Sequence, residues 1–461
     1  ILDTDQFGLT RVLIAIMTIS AQIINFGVPN SVIKYYPELS LKTDNKQGLF
    51  WAFLVPPVFG LLVFSIIILF FDDLILNLYN TGSTLLSDYF LYIIPLVAFS
   101  VAFALLNSFV KAQFNTVFAS FLQDVLLRVL MIIDLLLFYF EVISFDLFIL
   151  IFAGNYGIQY LMLLGYALKN NLLNIRPSFS VFDTETIKKI RTYSFYSFFS
   201  GLTMLLIGNI DLLMLGTYNG LAESGIYAIA LYVGSVILIP KKSIVKISFP
   251  VIANSFQKND LDNVEKVYKQ TSLNQFLTGL LLYIGIVANI DNLYAMLPEE
   301  YANGTIVIVI IGLGNLIEMI TGANGQIIIA SKYFRFDFYS SWILMLLAIT
   351  LNVLLIPIYG LAGAALATTS SILLYNAVKV IFVWIKLQIQ PFSFRLVGIV
   401  LTGLILLYLS SLFPGFENIY LDILIRSFMI AILYIGSVWI FKLSDEVNEF
   451  LAKYWQKIVN K

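Results

Sequence analysis

Residues 49–71, LFWAFLVPPVFGLLVFSIIILFF, run for 23 positions without a charged side chain. As a helix, at about 1.5 Å per residue, that run is long enough to cross roughly 30 Å of hydrocarbon. The whole 461-residue chain is built in the same way. It is 60% hydrophobic, 15% aromatic and 12% charged, with a mean hydropathy of +0.90. Soluble domains carry about a quarter charged residues, so the surplus of Leu, Ile, Phe and Val must face lipid, and the chain reads as an all-α polytopic membrane protein. It has no Cys and no His. That excludes disulfides, thiol nucleophiles, a Ser/His/Asp triad and a His-based zinc site in their usual forms.

Further apolar runs place spans near 9–28, 49–71, 89–110, 118–140, 147–168, 193–216, 225–240, 271–290, 304–330, 337–357, 361–384, 394–413 and 421–441, thirteen in all. Lys and Arg stay on the cytoplasmic side, and here 23 of 27 cations fall in one alternate set of loops, from Lys34, Lys42 and Lys46 to Lys442, Lys453, Lys457 and Lys461. The opposite loops carry acids such as Asp72, Asp88, Glu141, Glu223 and Glu300. This segregation puts residue 1 outside and the C-terminus inside. The outer loops are too short for a folded catalytic domain. The basic stretches 169–192 and 241–270 read as amphipathic connectors on the anionic inner leaflet.

The chain also resembles itself. A shift of 217 residues lays Gly8-Leu9 on Gly225-Ile226, Asn107 on Asn324 and Lys169 on Lys386; with a slip of a few residues Tyr36-Pro37 meets Phe249-Pro250, and Asp134 meets Asn352. Two six-helix repeats in parallel orientation follow, with spans 394–413 and 421–441 appended. The expected organisation is an N-terminal lobe 1–168 (helices 2–6 of the full protein), a cytoplasmic linker 169–192, a C-terminal lobe 193–386 (helices 7–12), the appended pair 394–441 and a cytoplasmic tail 442–461. Because 193–216 maps upstream of residue 1, the repeat calls for one further helix there and 14 in the full-length protein. Pro56-Pro57, Pro95 and Pro240 are expected to interrupt spans, and glycines crowd 312–325.

Several stretches resemble a known family. They are Asp5-Gln6-Phe7-Gly8 opening a span, Gly27-Val28-Pro29 closing it, Asn209-Ile210-Asp211-Leu212 with Gly225-Ile226-Tyr227-Ala228, Phe249-Pro250-Val251-Ile252, and Asn352-Val353-Leu354-Leu355-Ile356-Pro357-Ile358-Tyr359-Gly360-Leu361-Ala362-Gly363-Ala364-Ala365. With them the chain is similar to polysaccharide or O-antigen flippases of the multidrug, oligosaccharidyl-lipid and polysaccharide exporter superfamily, whose fold is MATE-like. The resemblance implies 14 helices, no enzymatic activity, no cofactor, and translocation of an oligosaccharide on undecaprenyl pyrophosphate from the inner to the outer leaflet of the bacterial plasma membrane. It also implies lipid-linked oligosaccharide, membrane lipids and other polysaccharide-assembly membrane proteins as partners, and no nucleic acid.

Moving a pyrophosphate past lipid needs cations in a water-filled cavity, with Arg as a bidentate fork and Lys as a point charge. The substrate-binding candidates are Arg11, the lone outer cation; Lys34 and Lys246, each shortly before an aromatic-Pro pair at the inner end of repeat-related spans; and Arg128. Snorkelling to lipid phosphates is the alternative for the lysines, and neutralisation by Asp124, four residues earlier, the alternative for Arg128. Asp134 and Asp211 are candidates for ion coupling, with capping or anchoring the alternative for Asp211. Lys379 and Arg426 read as snorkelling or packing residues, and Asn155, Gln159 and Asn324 as interhelical hydrogen bonders. Two other functions compete. A cation-coupled multidrug exporter would share the fold but favours acidic cavities and 12 helices; a glycan polymerase or ligase would need a sizeable outer loop.

Overall fold

A computed structural model describes residues 2–449 apart from 44, 79–84, 174–182, 334 and 414. Among these residues the secondary structure is entirely helical. In hydrocarbon every backbone N–H and C=O must find its partner within its own helix, so apolar runs of this length have no stable alternative.

The chain packs as two compact units, Ile1–Gly225 and from Ile226 on. The first holds α1 (Thr4–Asn25), α2 (Val28–Leu39), α3 (Leu49–Leu78), α4 (Ile93–Ala112), α5 (Leu127–Tyr139), α6 (Phe145–Lys169) and α7 (Thr184–Tyr218). Its motif Asp5-Gln6-Phe7-Gly8 follows a capping box, in which Asp3 Oδ1 accepts from the Gln6 N–H at 2.7 Å and Gln6 Oε1 accepts from the Asp3 N–H at 3.3 Å. That satisfies two of the donors a helix start leaves unpaired. Val32, Tyr36, Phe50, Phe109 and Leu163 form a common core between α2, α3, α4 and α6. By contrast α3 is covered on few sides, and Phe59, Leu62, Ile66 and Phe70 lie exposed. These are the lipid-facing residues that the composition required.

α5 is entered through a short helix, Val117–Phe121, and a π-helical turn, Leu122–Leu126. A π turn inserts a residue into the helical register. The Leu122 carbonyl accepts from the Leu127 N–H and from Gln159 Nε2 at 3.1 Å, while Gln123 Oε1 accepts from Asn107 Nδ2 at 3.1 Å. Two amides of neighbouring helices therefore hold the turn in place.

The second unit comprises most of α8 (Leu221–Ser235), then α9 (Ile239–Gln257), α10 (Leu261–Ala288), α11 (Thr305–Ile320), α12 (Arg335–Leu387), α13 (Arg395–Ser410) and α14 (Ile419–Ile440). Within it α10 is central, packing against α9, α11, α13 and α14. The 53-residue α12 is two helices joined at Gly360, whose φ of 53° and ψ of −128° only glycine adopts without strain. A Cβ at Gly363 would strike the backbone of Leu355 and Ile356, so this second glycine lets the two arms approach. The stretch Asn352–Ala365 is thus the corner between the runs 337–357 and 361–384.

Nine helices are long and apolar enough to cross a membrane, or ten if the bent pair Thr184–Thr203 and Leu205–Tyr218 is one span, among the described residues. Several boundaries differ from the sequence expectation. The helix expected to open the second lobe begins at Thr184 and packs against α1 and α2 in the first compact unit. Pro95 and Pro240 interrupt their spans as expected, each lying just after a 3-10 turn, Phe90–Tyr92 and Val236–Leu238, in the first turn of the helix that resumes, whereas Pro56 and Pro57 lie inside α3 without breaking it. The connector 241–270 is largely helical, and part of 169–192 and most of the tail fall outside the described residues. A helix lying at a membrane interface satisfies its own backbone, which a loop lying against lipid does not.

Candidate functional site

The first unit brings two of the expected charged residues together. A cavity of about 80 Å³ is lined by Phe7, Thr10, Arg11, Asp134, Phe148 and Phe152, among others, so that α1, α5 and α6 all contribute. Arg11 is half-buried with its guanidinium carbon 4.6 Å from the centroid of the Phe7 ring. Asp134 is 4% exposed, and its Oδ2 accepts a hydrogen bond from Asn155 Nδ2. This bond answers the first question a buried carboxylate poses, which is what replaces its water. The space suits a few water molecules or a small ion; no glycan fits it. A cation and an acid facing one small space in an apolar bundle can hold an anionic oxygen or exchange a proton or metal cation.

The other expected residues do not line this cavity. Arg128, near the start of α5, and Lys34, on α2, are both exposed. Lys246 is exposed on α9, in the second unit. Asp211 is buried on α7, which packs against α1.

Ion pairs sort the remaining charges. Lys379 is 5% exposed and donates to Asp337 at 2.6 Å, with its ammonium 4.2 Å from the Tyr375 ring centroid. Arg426 pairs with Asp422 and donates to the Ser410 carbonyl at 3.1 Å, and Lys241 pairs with Glu318. These three cations are committed to holding helices together. Among the described residues, Lys34, Arg128 and Lys246 form no ion pair. The expected alternative for Arg128, neutralisation by Asp124, therefore does not hold: Asp124 sits within the π turn, which alters the four-residue spacing on which such a pair depends.

By sequence Asn155 and Gln159 belong with general interhelical hydrogen bonders. Their partners are specific, the Asp134 carboxylate and the π-turn carbonyl. The signal lies in their placement, since these are the only side-chain amides in the middle of the run that follows Asp134.

The helical architecture and the charged cavity in its apolar bundle define a polytopic membrane protein of the MATE-like transporter fold. The chain matches the lipid II flippase MurJ in an inward closed conformation with a TM-score of 0.70 at 17% identity, covering 95% of this chain and 96% of that one. It also matches an inward-facing multidrug MATE transporter at 0.64 and 12% identity, over 84% and 91% of the two chains. The family model described as polysaccharide biosynthesis protein matches residues 1–256, and the chain belongs to that family. Among curated relatives, it is similar to a probable low-salt glycan biosynthesis flippase, Agl15, of Haloferax volcanii, at 22% identity over 56% of each chain. It is likewise similar to the teichuronic acid biosynthesis protein TuaB of Bacillus subtilis, at 25% identity over 53% of this chain and 47% of that one. The matches span about half the length of these relatives.

Proposed function

We propose that this protein is a transporter, not an enzyme, that carries a lipid-linked oligosaccharide from the inner to the outer leaflet of a bacterial plasma membrane. The observation that carries the reading is the placement of Arg11 and Asp134 on the wall of one small cavity inside apolar helices of a polysaccharide-biosynthesis family member. Charge at such depth is costly, and function is its usual justification. The similarity to Agl15, a probable flippase, and to MurJ, a lipid II flippase, supports the same direction.

In this reading the carrier is undecaprenyl pyrophosphate. Arg11, Lys34, Arg128 and Lys246 meet its phosphates in turn, and Asp134 exchanges a proton or sodium ion as the bundle moves. Asp211 is a second coupling candidate. The segregation of Lys and Arg supports residue 1 outside and the C-terminus inside. Rocking of two duplicated lobes supplies the motion. Several repeat-related pairs have matching surroundings, which supports the duplication: Asn107 and Asn324 are each buried and donate to a side-chain amide, Asp134 and Asn352 are both buried, and Lys169 and Lys386 both lie in a last helical turn. Replacing Arg11 or Asp134 in reconstituted vesicles tests the reading. Undiminished translocation by both variants contradicts the site.

A further inference from the structure

On the first unit the seam between α2 and α7 carries an exposed strip of graded chemistry. The helices run antiparallel there: Asn30 Nδ2 donates to Ser197 Oγ at 2.6 Å, and the Ser31 and Ser194 hydroxyls share a hydrogen bond of 2.6 Å. At one end Lys34 lies 3.8 Å from the centroid of the Tyr193 ring and 5.4 Å from that of Tyr35. Among the described residues no carboxylate pairs with its ammonium; Glu38, one turn on, is bound to Lys42 at 2.8 Å. At the other end Phe26 stacks on Phe198 at 4.6 Å and meets Phe195 at 6.4 Å, and Phe195 packs edge-on against Phe199 at 4.7 Å. Phe26 and Phe195 are exposed.

Phe26 is also in an unusual backbone state. Its φ of 44° lies in the left-handed region, at the break between α1 and α2. Asn or Gly occupies such a position at less cost, and a bulky residue there marks a place where the side chain matters more than the strain. The ring is not spent on the core, since it stays 40% exposed.

We infer that this seam is the loading site for the lipid part of the substrate, a polyprenyl phosphate in the inner leaflet. The inference rests on the proposed function and goes beyond it in naming where the carrier binds. Lys34 takes the phosphate. Phe26 stacks on Phe198, five residues beyond Tyr193 and about 7.5 Å along α7, so the first isoprene units pass over Phe26 and Phe195. Isoprene units offer flat alkenes and methyl branches to these rings, and the charge at one end fixes the direction of the chain. A saturated glycerophospholipid has the phosphate but not the alkenes, so the strip discriminates between the two.

The test uses the full-length protein in liposomes with a polyprenyl phosphate carrying a diazirine on its first isoprene units, followed by mapping of the labelled peptides. Labelling is expected on segments 26–34 and 193–199, competed by unlabelled polyprenyl phosphate and not by excess phospholipid. Phe26→Asn suits the left-handed backbone and removes the ring, so the fold is kept; labelling should fall on the order of tenfold, with Phe26→Trp retaining it. Lys34→Gln should lower labelling similarly, and Lys34→Arg should preserve it. Labelling that phospholipid competes equally, or that Phe26→Asn leaves intact, overturns the loading site while the wild type still translocates glycan. A wild type that binds polyprenyl phosphate at the seam yet moves no glycan refutes the transport reading and leaves the binding site standing.

Discussion

At the scale of single residues, Asp134 and Asn155 are the pair whose chemistry is most constrained. The carboxylate is almost fully buried and its amide partner comes from the next helix. Asn155→Leu should therefore strand a buried acceptor and cost about 1–3 kcal/mol, read as a lowered unfolding temperature in detergent, whereas Asp134→Asn keeps a hydrogen-bonding group there. If Asp134 couples transport to an ion, Asp134→Asn should leave thermal stability near wild type and abolish the dependence of transport on an imposed proton or sodium gradient. Arg11→Ala should reduce translocation about tenfold, an effect of some 1.4 kcal/mol on the barrier, with normal membrane insertion; Arg11→Lys should recover part of the rate. Arg11 and Asp134 are both legible in the sequence because charge in an apolar run is conspicuous. Their convergence is not, since it depends on how α1, α5 and α6 pack, and apolar helices carry little in their letters to specify rotation about their axes.

At the scale of elements, two local breaks set the geometry. The π turn before α5 displaces Asp124 from Arg128 and is braced by Gln159 and Asn107. Deleting Val125 should restore an α-helical register and turn Arg128 by roughly 100° relative to the helix that precedes it; insertion should persist and translocation should fall, as vesicle transport would report. The second break is the corner in α12. Gly360→Ala should cost about 1–3 kcal/mol because alanine is strained at that backbone position, again visible as a lowered unfolding temperature. The corner is readable as two apolar runs flanking Tyr359-Gly360, while nothing in the sequence announces the π turn. A π turn inserts one residue without changing composition or hydropathy, so a periodicity reading passes over it. The helical character of Val28–Leu39 and of 241–257 escapes hydropathy for a related reason: the basic residues there mark an interface, and an interface holds amphipathic helices as readily as loops.

At the scale of the whole molecule, high hydropathy and the scarcity of charged residues make the membrane class legible from composition alone, because lipid leaves a chain few ways to satisfy its backbone. The MATE-like architecture then agrees with the resemblance drawn from Asp5-Gln6-Phe7-Gly8 and the Asn352–Ala365 corner. Helix α7 shows where sequence reasoning reaches its limit: the repeat assigns it to the second lobe by order, whereas its packing against α1 and α2 is a matter of tertiary contact. The central claim is that this fold moves a lipid-linked glycan between leaflets. The most direct measurement places the full-length protein in liposomes with a fluorescent lipid-linked oligosaccharide confined to one leaflet and follows its exposure to an impermeant sugar-modifying reagent. A rise above protein-free vesicles that Arg11→Ala reduces is the predicted result. No rise with the wild type, together with efflux of a cationic dye from the same vesicles, would contradict the account and point to drug export.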